Sequence, residues 1–72
     1  MDTHLLDMCQ EYVDLVQQIG SGQYSLEELR VLDSERQSTH LELCRITGKP
    51  HGDDMVQYAK GLLYEARLRG LR

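Results

Sequence analysis

The ten residues GSGQYSLEEL, Gly20 to Leu29, decide how this chain folds. Gly20-Ser21-Gly22 is a turn signal that stops whatever precedes it. Ser25 and Glu28 then stand at capping-box spacing. The serine hydroxyl can accept from the backbone N–H three residues on, and the glutamate can reach back to the serine N–H. Tyr24 and Leu29 flank the box at hydrophobic-staple spacing, which fixes the angle between incoming chain and helix. The stretch therefore reads as a tight turn opening a helix.

Outward from this turn the chain divides into three segments. A second cluster, Gly48-Lys49-Pro50-His51-Gly52, supplies the next break, and Gly70 ends the last segment. In the first segment Leu5, Cys9, Tyr12, Val16 and Ile19 recur in steps of three and four. Met8, Val13 and Leu15 widen that stripe, while Asp7, Asp14, Gln17 and Gln18 hold the opposite face. The second segment runs to Thr47 with Gly48 placed as its C-cap. In the third, Met55, Ala59, Leu62 and Ala66 form an inner stripe flanked by Tyr58 and Leu63. Asp53 and Asp54 suit its positive start, and Arg67, Arg69 and Arg72 its negative end. The expectation is an all-α fold in which residues 1–72 form a single domain. It is a three-helix up-down-up bundle, with helices at about 3–19, 26–47 and 53–69 and short Gly-rich turns.

Composition narrows the function classes. The chain has 72 residues, 28% charged and 40% hydrophobic, with a net charge of −4. That is too apolar for a disordered acidic tail. With no Trp or Phe, the core must rest on aliphatic residues, Met and Tyr. A core this small is marginal, and such domains commonly draw stability from self-association, a metal or a partner. The N-terminus lacks a basic region, and Asp7 and Glu11 interrupt its apolar run, so no targeting signal is read. No segment has the length of a membrane span. Cys9 and Cys44 form no CxxC pair. Two reduced thiols and a cytoplasmic address are expected.

The second helix breaks its own pattern. Leu29, Leu32, Arg36, His40, Leu43 and Thr47 share one face, with Leu26, Asp33 and Cys44 on one edge and Thr39 and Ile46 on the other. Arg36 and His40 thus interrupt the stripe, and Asp33 lies within pairing reach of Arg36. One reading is a half-buried helix, with the Arg36 stem on the core and His40 at its margin, bonded to a tyrosine or a carbonyl. The other is a polar network of Asp33, Arg36 and His40 that sets register with another subunit.

Cys9, His40, Cys44 and His51 together would offer two sulfurs and two nitrogens, a tetrahedral set for zinc. The C-x-x-C knuckle of strong zinc motifs is missing, so no metal and no cofactor are expected. Cys44 and His40 lie one turn apart on a single helix, with no oxyanion loop or third orienting group. GSGQYS lacks the lysine of a phosphate loop. The chain is read as a non-enzyme.

Apolar residues also stand on the outer side of the third helix. Tyr64 and Leu68 lie opposite Met55, Leu71 extends that direction if the helix persists, and Gly61 leaves a notch beside them. A partner contact accounts for such a strip. Charge is uneven too. Residues 1–20 carry Asp2, Asp7, Glu11 and Asp14 with no Lys or Arg. Residues 60–72 carry Lys60, Arg67, Arg69 and Arg72 against Glu65. Attraction between first and last helices, within one chain or between subunits, is the simple account. DNA binding is the alternative, disfavoured because Asp53 and Asp54 would point acid at the reading end of a recognition helix. The function read from sequence is a small non-catalytic protein–protein interaction module: a homo-oligomer, an adaptor or an inhibitor of a larger protein. A small DNA-binding transcriptional regulator and a zinc-stabilised helical domain are the rivals.

Overall fold

Serine, threonine and aspartate begin helices because their short side chains satisfy backbone N–H groups that the first turn leaves without partners. In the computed structural model, which describes residues 3–49 and 54–70, Ser25 does this for the second helix. Its Oγ accepts from the Glu28 N–H at 3.2 Å, and the Glu28 Oε1 accepts from the Ser25 N–H at 3.0 Å, closing both halves of the capping box. The elements are α1 (Thr3–Gly20), α2 (Leu26–Thr47) and α3 (Met55–Leu68). At the far end of α2, Gly48 takes a left-handed φ of 74° and donates its N–H to the Cys44 carbonyl. A side chain there would meet the steric cost that makes glycine the usual cap.

The third helix differs slightly from the expected 53–69. Asp54 is its N-cap, its carboxylate accepting from the Gln57 N–H at 3.2 Å, so the helix proper starts at Met55. Asp53 lies outside the described residues. At the other end Arg69 caps the helix and Gly70 turns at φ 72°. Left-handed backbone cannot continue a right-handed helix, so α3 stops at Leu68.

Packing is organised around α1. It lies along α2 and along α3, while α2 and α3 have little direct contact. The core joins Cys9, Tyr12 and Val13 of α1 to Leu43 of α2 and to Met55 and Ala59 of α3. Among the described residues, five of the fully buried apolar side chains belong to α1, three to α3, and Leu43 alone to α2. The α1 stripe is accordingly broader than the one expected. Leu6, Cys9, Tyr12, Val13 and Leu15 are buried, whereas Leu5, Val16 and Ile19 are half-buried. A helix with two neighbours must bury an arc serving both, and a single-stripe reading missed Leu6. The α3 stripe stands as read, with Met55, Ala59 and Ala66 buried and Leu62 half-buried. Thr39, buried on α2, donates its hydroxyl to the Glu35 carbonyl at 2.9 Å, which satisfies it without a tertiary partner. Among the described residues no helix is long and apolar enough to cross a membrane.

Two outcomes follow from this packing. Leu43 is 0% exposed and Leu41, two residues away, is 52% exposed. Leu43→Ala is expected to cost about 3 kcal/mol in a urea melt, and Leu41→Ala less than about 0.5 kcal/mol. The capping box also holds the Glu28 carboxyl below its ordinary value of 4.5, chiefly through the Ser25 backbone N–H. A lowered folded-state value means this contribution is complete above 4.5 and is lost as pH falls through the lower value. Glu28→Gln should therefore cost more at neutral pH than in acid. Equal losses at both pH values would show that the carboxylate charge is irrelevant to the cap.

Candidate functional site

The interruption on α2 is satisfied from within the chain. Arg36 Nε donates to Asp33 Oδ1 at 2.9 Å, and Gln37 Nε2 donates to Asp33 Oδ2 at 3.0 Å, so both carboxylate oxygens are engaged from the same helix. The Asp33 hydrogen bond shifts Arg36 further towards its charged form; partial burial opposes this and Tyr12 adds to it. One turn on, His40 Nδ1 meets the Tyr12 hydroxyl at 3.1 Å, with the two rings tilted 45° and 5.7 Å apart. Arg36 and Asp33 keep 29% and 46% of their side-chain surface in water. The network is thus half wet, and it gains a member from α1 that the α2 pattern alone does not name.

Beside it lies an open pocket of about 490 Å³ lined by Arg36, Gln37, His40 and Leu41. Two of its polar side chains are held from outside the lining: Arg36 Nε by Asp33 and the His40 Nδ1 by Tyr12. Cys9 is fully buried and Cys44 half-buried, and neither forms a disulfide. Among the described residues no three His, Cys, Asp or Glu side chains come close enough to hold a metal ion. Cys9, His40 and Cys44 therefore do not assemble into the tetrahedral set considered from sequence, and His51 lies outside the described residues.

The outer face of α3 is open. Tyr64 is 60% and Leu68 69% exposed. A Cβ placed on Gly61, on the same side of the helix, would meet nothing within 4 Å. Leu71 lies outside the described residues. Tyr64 also borders a cleft of about 300 Å³ between α1 and α3, whose other members include Val13, Leu63, Lys60 and Arg67. Two features went unread in the sequence. One is this cleft, which needs two helices to exist. The other is the exposure of Val31 and Leu41 on α2; Leu26, expected at the edge of the inner face, is exposed as well.

Among the described residues the ion pairs lie within α2. The pairs Arg36–Asp33 and Arg45–Glu42 each join residues three apart on α2. Lys60 and Arg67 of α3 line the cleft opposite Gln10 and Gln17 of α1, not opposite carboxylates. Asp54 occupies the N-cap of α3, the end that a recognition helix turns towards bases. The chain matches no protein-family model, no curated protein and no solved structure.

The two polar contacts make separable demands on stability. Tyr12→Phe leaves a half-buried imidazole nitrogen without its hydroxyl and is expected to cost about 1 kcal/mol. Arg36→Leu removes a three-apart pair worth roughly 0.2–0.5 kcal/mol and adds apolar surface, so it should be neutral or stabilising. An Arg36→Leu protein that loses stability and changes its mass by light scattering would instead assign Arg36 to an assembly contact.

Proposed function

We infer that this protein is a small, non-catalytic helical module that acts by helix-face contact with another protein chain. The observation that carries the reading is the outer face of α3. There Tyr64 and Leu68 stand more than half exposed beside Gly61, on the side away from the buried Met55–Ala59–Ala66 stripe. A chain whose core is this limited loses stabilisation by keeping large apolar groups in water, and contact with a partner recovers it. Tyrosine is well suited to such a contact, giving a large rigid apolar surface with a hydroxyl that tolerates water. A homo-oligomer, an adaptor and an inhibitor of a larger protein all use a surface of this kind. A cytoplasmic address goes with the reading, supported by Cys9 and Cys44 standing outside any disulfide.

The test is capture from the native lysate with wild-type and variant chains, read alongside solution mass. Tyr64→Ala and Leu68→Glu are at exposed positions, so helicity by circular dichroism should be unchanged. A captured partner should be lost with roughly tenfold or greater weakening in both variants. Unchanged capture and unchanged mass in both variants would remove α3 as the contact. A gel-shifted DNA complex that dissolves with rising salt would favour the regulator reading instead.

A further inference from the structure

The cleft between α1 and α3 has sides of opposite chemical character. On the α3 side Lys60 and Arg67 stand seven residues apart, both exposed, and neither makes an ion pair among the described residues. On the α1 side Gln10 and Gln17 form the rim. Just beyond them Asp7, Glu11 and Asp14, all exposed, share one face at spacings of four and three. Each chain therefore presents a face with an acidic stripe along one edge, a basic stripe along the other, and Val13 and Leu63 between, with Tyr64 just outside the basic stripe.

We propose that this face is a self-docking surface whose occupant is a second copy of the same chain, related by a two-fold axis lying along the cleft. The proposal rests on the interaction-module reading above and names its partner. A half-turn about that axis exchanges the two edges. The acidic stripe of each copy then lies on the basic stripe of the other, and the contact is isologous and closes on itself. An axis running across the cleft would instead set acid on acid. The axial levels also agree. In an up-down-up bundle α1 and α3 run the same way, so Gln10 and Lys60 mark one end of the cleft and Gln17 and Arg67 the other. Rotation about an axis along the helices preserves level. It brings Glu11 to the level of Lys60 and leaves Asp14 about 4–6 Å along the axis from both cations, within reach of their long side chains. A foreign acidic helix would answer only the basic edge; a second copy answers both.

The experiment is sedimentation equilibrium on the full chain with two charge-reversed variants, Lys60→Glu/Arg67→Glu and Glu11→Lys/Asp14→Lys. Wild type is expected to be a dimer whose dissociation constant rises roughly tenfold between low and high salt. Each reversed variant alone is expected to be monomeric with unchanged helicity, and their equimolar mixture to regain the dimer mass. The neutral variant Lys60→Gln/Arg67→Gln, which adds no repulsion and no large structural change, should also weaken the dimer. A wild type with single-chain mass at every concentration overturns the proposal, as does a dimer indifferent to both reversals. Leu68 lies outside this cleft. A monomeric wild type that still loses a captured protein on Leu68→Glu would therefore discard the second copy as occupant while leaving the interaction module standing.

Discussion

Helix α1 is the element on which everything else rests, because α2 and α3 both pack on it and scarcely on each other. Its buried arc, from Leu6 through Cys9, Tyr12 and Val13 to Leu15, faces two neighbours and holds most of the buried apolar groups described. A symmetric three-helix bundle would distribute that burden across three interfaces. Here there are two, and each outer helix is covered on one side only. The exposed apolar groups of α2 and α3 follow from this arrangement: a helix with a single neighbour has no second interface to hide them.

The same geometry explains why α2 tolerates an arginine and a histidine on its inner face. Leu43 anchors α2 at one end of the core, close to the α1 segment that holds Cys9, and Met55 joins them there. Towards the N-terminal half the helix needs only contact, not a sealed core, and the interface can carry polar groups that water still reaches. Asp33 neutralises Arg36 within the helix, and Tyr12 receives His40 across the interface. Each pairing uses a group that costs little to desolvate by half and would cost much if left alone in a dry core.

Much of the fold was legible in the residues. The capping box, the Gly48 cap and the helical spacing of apolar groups are local: their physics involves residues three or four apart, which the order of the sequence records directly. The three helices and the inner stripe of α3 were readable for that reason, as was the outer strip of Tyr64 and Leu68. Leu6 was not, since nothing within α1 says that a second helix will press on its other flank. The start of α3 at Met55 turned on whether Asp53 or Asp54 supplies the cap, a choice of one residue that spacing alone does not make.

By itself, then, the sequence determined the number and approximate extent of the helices and most of their inner faces, together with the segregation of acid to α1 and base to the end of α3. Only the tertiary structure decided that Tyr12 is the partner of His40. It also decided that Cys9, His40 and Cys44 stay apart as metal ligands, and that Lys60 and Arg67 border a cleft lined by amides instead of carboxylates. The reason is range. Periodicity fixes which side of a helix is apolar, but which groups meet across an interface depends on the rotation and offset of two helices. Those are set by how all their side chains fit at once.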